Sequence, residues 1–112
     1  MSTKITLPLP TSINRTYRSG SGHFYKSQEA KDWEEEANYA WYKQISFFKK
    51  LTLDDVQLDI VFFLKRDRDI DSGLKIVLDF MQNKIYRNDR QIKEIHVIKV
   101  KSDTPRCEIS II

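Results

Sequence analysis

Val56-Gln57-Leu58-Asp59-Ile60-Val61-Phe62-Phe63-Leu64 leads straight into Lys65-Arg66-Asp67-Arg68-Asp69-Ile70-Asp71-Ser72-Gly73-Leu74-Lys75. Val56, Leu58, Ile60, Phe62 and Leu64 repeat with period two, so residues 55–64 form a strand. Where that strand ends the chain changes character. Carboxylates fall on alternate residues, arginines are threaded between them, and a lysine stands four residues past the last aspartate. Alternate residues of an extended segment point to one side, so Asp67, Asp69 and Asp71 can face one point. Like charges held together repel, and a protein that gathers them usually has a cation there. Hard oxygen ligands suit magnesium, manganese or calcium. The interleaved Arg66, Arg68 and Lys75 suit a metal site whose substrate is itself a polyanion.

Downstream of this stretch, Ser72 or Asp71 can cap a second helix, with Leu74, Val77, Leu78, Met81 and Ile85 as its apolar face. Tyr86-Arg87-Asn88-Asp89 has turn chemistry. Residues 91–100 read as another strand. Cys107, Ile109 and Ile111 mark a last one, with Thr104-Pro105 in the turn between. Upstream, Ile5-Thr6-Leu7-Pro8-Leu9-Pro10 alternates but holds two prolines, which predicts a short edge strand leaving into a loop. Residues 11–27 read as loop. Ser27 can cap a helix starting near Gln28, whose apolar stripe is Ala30, Trp33, Ala37, Trp41, Ile45 and Phe48. Its aromatic residues suit core packing better than base stacking. The order β-α-β-α-β-β predicts an α+β fold, two helices packed on a mixed or antiparallel sheet, as one small domain over residues 1–112.

The 112 residues are 40% hydrophobic and 31% charged, the composition of an ordinary soluble globular protein. A net charge of +3 only hints at nucleic acid. It is unevenly spread: acidic residues gather at 29–36, basic ones at Arg15 and Arg18, at 65–68 and at 84–101. The lone Cys107 excludes an internal disulfide and fits a reducing, cytoplasmic setting. The N-terminus lacks the apolar core of a signal peptide. No run approaches the roughly 20 apolar residues that cross a bilayer.

Asp69 and Asp71 stand at a strand end and Asp89 in the turn after the second helix. That helix, of about 13 residues, would run roughly 20 Å, so chain direction alone does not return Asp89 to the others. If strands 55–64 and 91–100 pair side by side, both strand ends can border one cleft. Three carboxylates would then form a magnesium site with positions open for water and phosphate. Lys75, in the helix's first turn, can contact a phosphate or offset charge in a pentavalent transition state. Each residue also has a plainer role available. Asp67 can be solvated or paired with an arginine, Asp71 can be a helix cap, Asp89 can be a turn aspartate, and Asp79 can pair with Lys75 along the helix. His23 and His96 are isolated. An EF-hand is excluded, since its loop wants Gly sixth and Glu twelfth, where this chain has Ser72 and Leu78.

These residues, taken together, resemble the RusA family of Holliday junction resolvases, over nearly the whole length. Leu7-Pro8-Leu9-Pro10-Thr11-Ser12-Ile13-Asn14-Arg15 is similar to the family's Pro-x-x-x-Asn-Arg opening. Arg68-Asp69-Ile70-Asp71 with Lys75 is similar to its Arg-Asp-x-Asp-x-x-x-Lys core. Ile85-Tyr86-Arg87-Asn88-Asp89-Arg90-Gln91-Ile92 is similar to its third block. The resemblance implies a Mg²⁺-dependent endodeoxyribonuclease, with Mn²⁺ as a substitute, that resolves four-way junctions by paired symmetric nicks in recombination and repair. Asp69, Asp71 and Asp89 would hold the metal, and Lys75 would be catalytic or contact the phosphate. DNA contacts would come from Arg68, Arg66, Asn14, Arg15, Arg18, Ser72 and Arg87, with Lys99 as a further phosphate contact. Relatives usually carry Asn where this chain has Ser72, followed by Gly73, which bears on the local DNA contact. The resemblance also implies a homodimer, no membrane or small-molecule cofactor, and a prophage origin. The rival readings are a non-catalytic DNA-binding module, a different magnesium phosphohydrolase, and a structural protein with an ion-paired cluster.

Overall fold

The computed structural model describes residues 3–10, 17–20, 23–44, 52–71 and 73–112. Strand β1 (Thr3–Leu7) is followed by a short hairpin, β2 (Tyr17–Gly20) and β3 (His23–Lys26), then helix α1 (Gln28–Gln44). Strand β4 (Val56–Leu64), helix α2 (Leu74–Met81), a single 3₁₀ turn (Asp89–Gln91), β5 (Ile92–Lys101) and β6 (Arg106–Ile111) complete the order. The expected β-α-β-α-β-β sequence is present, with the hairpin added where a loop was expected. Tyr17, Phe24 and Tyr25 favour strand, but two four-residue strands are too short to display a period.

Four strands form one mixed sheet in the order β1-β6-β4-β5. β6 runs antiparallel to β1 and β4, whereas β5 runs parallel to β4. The parallel pair follows from connectivity: a crossover through α2 returns the chain to the same end of the sheet before β5 begins. Alternation in β4 is complete, with Val56, Leu58, Ile60, Phe62 and Leu64 all buried. Those side chains join Ile5, Leu7, Cys107 and Ile109 in a core covered by both helices. Burial pushes the Cys107 thiol up to about 12, so it is packed and inert.

The stripe on α1 is core, as its spacing predicts. Ala30, Trp33, Ala37 and Trp41 are buried, and Phe80 of α2 meets Trp33 edge-on with centroids 5.3 Å apart. Ser27 caps this helix, its hydroxyl accepting from the Ala30 amide at 3.2 Å. Ile45 and Phe48, expected on the same stripe, lie outside the described residues. Helix α2 has eight residues, shorter than expected. Asn83 takes a left-handed φ of 66°, and the amides of Lys84 and Ile85 both turn back to the Met81 carbonyl. The helix has already ended at Gln82, whose backbone turns extended with ψ 135°, and asparagine tolerates the left-handed turn that follows. Ile85 therefore reaches the core from a turn. Among the described residues no helix is long and apolar enough to cross a membrane.

Candidate active site

The loop leaving β4 rests on Pro10, a fully buried proline just past β1. Arg68 donates from Nη2 to the Pro10 carbonyl at 2.8 Å. At the other end of the loop, a Cβ on Gly73 would stand 2.6 Å from Pro10 Cγ, closer than real Cβ contacts allow. Glycine at 73 is thus a packing requirement: only without a side chain can the start of α2 approach this ring. A third tie comes from β5, where Lys99 Nζ donates to Asp67 Oδ1 at 2.8 Å and to the Arg68 carbonyl at 3.0 Å. Asp67 is paired as its plainer reading expects, but with a lysine in place of an arginine. The bond to Lys99, and then its charge, hold the Asp67 carboxyl below the usual range.

Between these ties, Asp69 and Asp71 are exposed. The N-cap of α2 is Gly73, with no side-chain capping bond. Asp71 gives only its backbone carbonyl, to the Leu74 amide at 3.2 Å, so its carboxylate is not spent on the helix. Lys75 sits one turn in, paired with Asp79 at 3.4 Å on the exposed face. Such an exposed i, i+4 pair is weak and easily exchanged. Arg66 is exposed. Asn14, Arg15 and Ser72 lie outside the described residues, and Arg18 stands in β2 opposite Tyr25.

Asp89 is held by different means. Gln91 accepts at Oε1 from the amides of Arg87 (2.9 Å) and Asn88 (3.0 Å). It donates from Nε2 to the carbonyls of Thr52 and Asp54, both at 2.9 Å. Two lone pairs and two N–H groups are the whole capacity of a primary amide, and all four are used. The Asn88 side chain closes a capping box by accepting from the Arg90 amide. Asp89, first residue of the 3₁₀ turn, is exposed on this clamped frame, and so is the neighbouring Arg87. Beneath it Tyr86 is fully buried and donates to the Leu78 carbonyl at 2.7 Å. Burial, then the charges of Asp89 and Asp79, push the Tyr86 phenol above its ordinary range.

The expected single cleft does not form within one chain. β4 and β5 do pair, but in parallel, with Val56 beside Ile92 and Leu64 beside Lys101. The Asp69–Asp71 loop leaves the Leu64 end, whereas Asp89 precedes the Ile92 end. Helix α2, about 12 Å long at about 1.5 Å per residue, spans the gap between them. A divalent cation therefore fits part of the expected set. Asp69 and Asp71 offer exposed hard oxygens two positions apart, the donor chemistry that Mg²⁺ or Mn²⁺ takes. Among the described residues no three His, Cys, Asp or Glu side chains stand close enough to share an ion. The fitting pair is Asp69 and Asp71; Asp89 stands apart from them.

Sequence reasoning missed two residues that build this site, Pro10 and Gln91. Both lie in the motif blocks quoted above, but nothing in their chemistry marks them out. A proline in a loop and a glutamine beside a turn acquire these roles only from partners 58 and 37–39 residues away.

Comparison with known proteins accounts for the pattern. The family described as Endodeoxyribonuclease RusA matches residues 7–112. The chain is 35% identical over 97 residues to a crossover junction endodeoxyribonuclease RusA of Aquifex aeolicus (strain VF5), an alignment covering 83% of this chain and 74% of that protein.

Proposed function

We propose that this chain, which belongs to the endodeoxyribonuclease RusA family, resolves four-way DNA junctions by paired symmetric nicks during recombination and repair. The observation that carries this reading is the state of Asp69 and Asp71. Both are exposed, neither caps α2, and the loop bearing them is fixed at both ends on Pro10. These carboxylates would hold Mg²⁺, with Mn²⁺ as a substitute. When bound, such an ion acidifies a water and neutralises charge on a phosphodiester. Lys75, released from its weak pair with Asp79, would place an ammonium against the phosphate undergoing attack. Arg66, Arg68 and Arg87, together with Asn14, Arg15, Arg18 and Ser72 of the family's motif blocks, would grip backbone phosphates without reading sequence.

A homodimer matches the two-fold symmetry of the junction. β5 is an edge strand, and its Ile98 is 55% exposed, apolar surface that a second copy can cover. In a homodimer a second copy can also bring its Asp89 to the Asp69–Asp71 pair, which one chain alone leaves incomplete. The enzyme would work in the cytoplasm, where its substrate is.

The test is nicking of a synthetic four-way junction with Mg²⁺, beside linear duplex and an Asp89→Asn control. Paired symmetric nicks that require both the metal and Asp89 are expected. Equal cutting of linear duplex would indicate a general nuclease, and binding without nicks a recognition module.

A further inference from the structure

Next to the aspartate loop, but outside it, lies a groove of about 350 Å³ lined by Leu64, Lys65, Asp67, Lys99, Val100 and Lys101. It opens at the C-terminal ends of the parallel pair β4 and β5, where Leu64 stands beside Lys101. Three lysines and one aspartate line it, and that carboxylate is already paired with Lys99. Lys99 has three N–H groups, of which two are used on Asp67 and the Arg68 carbonyl, so a third donor remains on an ammonium that is already positioned. Lys65 and Lys101 have no ion-pair partner among the described residues. Leu64 and Val100 add apolar lining. Cationic donors beside apolar lining suit a phosphodiester with its sugar, since a phosphate takes several N–H donors and a deoxyribose needs none.

We infer that this groove is a subsite for DNA backbone phosphate, gripping the strand that runs on into the Asp69–Asp71 loop. The inference rests on the nuclease reading above and adds to it a place where the substrate strand is held outside the cutting loop. Lys99 serves the groove and the loop together: the contacts that fix Asp67 and Arg68 also pre-position it for phosphate. The site selects for backbone charge, so it contributes affinity without sequence preference.

The experiment uses the full-length protein and a labelled synthetic four-way junction, with binding measured in EDTA over a salt series. The groove variant is Lys65→Gln with Lys101→Gln. The control is Lys31→Gln with Lys43→Gln, which removes the same charge from α1. Losing two phosphate contacts should lower the slope of log affinity against log salt by about 2, at about 0.9 per contact. Affinity at low salt should fall several-fold while the control stays at wild-type values. Single-turnover nicking at saturating protein should keep its rate, because the groove holds the strand and does not touch the cut bond. An unchanged slope in the groove variant overturns the inference, as does an equal loss in the control, which would make the effect one of net charge. If wild-type protein binds and nicks junctions while the groove variant matches it, only the groove falls. If wild-type protein does not bind junctions, the functional reading falls and takes the groove with it.

Discussion

The Asp69–Asp71 loop and the Asp89 turn present the same exposed side chain, yet they are held in opposite ways. The loop is fixed from outside: a guanidinium on a proline carbonyl, an ammonium on a carboxylate, and a glycine pressed on a proline ring. The turn is fixed from within by one neutral amide whose four hydrogen bonds are all made, above a buried tyrosine. Two of the three ties use a cationic donor and one of these is an ion pair, so salt and a polyanionic strand compete for them. The ties on the turn carry no net charge. One end of the sheet is therefore built to respond to a phosphate backbone, and the other to stay in place whatever binds.

Removing a carboxylate without touching either frame sets the upper limit. Asp71→Asn should abolish junction nicking and leave, or tighten, junction binding, because repulsion of the backbone is reduced. A gel-shift beside a nicking assay checks both, and loss of binding would mean that Asp71 supports the fold of the loop. Next in size is Gln91→Glu, which keeps the shape but removes two N–H donors and faces the Thr52 and Asp54 carbonyls with a carboxylate. With Asp89 in the proposed role, nicking should fall about 10–100-fold, the cost of losing a group that orients a metal ligand. Stability should drop by about 1–3 kcal/mol. If nicking survives a measured loss of stability, Asp89 does not depend on this clamp.

These two positions also mark what could be read from the chain. The strand at 55–64, the stripe on α1 and the choice of Asp69, Asp71 and Asp89 as candidate carboxylates were legible because periodicity and charge are local properties. The direction of β5 was not. A strand beside β4 could run either way on its pattern alone, and that choice decides whether Asp89 shares a cleft with Asp69 and Asp71 or stands at the far end. The length of α2 was overread because Ile85 keeps the helical spacing, although the backbone has already left the helix at Gln82. Gly73, which follows the departure at Ser72, becomes intelligible only against Pro10.

Gly73→Ala probes that contact and should be felt at the loop alone. A methyl group 2.6 Å from Pro10 Cγ forces the ring or the start of α2 to move, at about 1–3 kcal/mol for overpacking. Nicking should decline with it, by less than in Gln91→Glu, since Asp69 and Asp71 shift without losing a partner. Adding Pro10→Ala should return part of the lost melting temperature, and the coupling between the two changes is the measurement. Simple addition of the two losses would show that the ring and the glycine do not press on each other.

The smallest effect is expected from Tyr86→Phe, which tests whether the turn is held by its amide or by what lies beneath it. The phenol donates one hydrogen bond, to a Leu78 carbonyl that also accepts from the Gln82 amide at 3.2 Å. Deleting the hydroxyl keeps the ring in the core and leaves that carbonyl a second donor, so the cost should be about 1 kcal/mol. Nicking should be unaffected, because Gln91 and the Asn88 cap fix the frame of Asp89. The hydrogen bond is neutral and buried, so the change in urea midpoint should be the same at low and high salt. A loss of nicking comparable to Gln91→Glu would instead make Tyr86 part of the clamp, and the rigidity of this end of the sheet would then belong to the core.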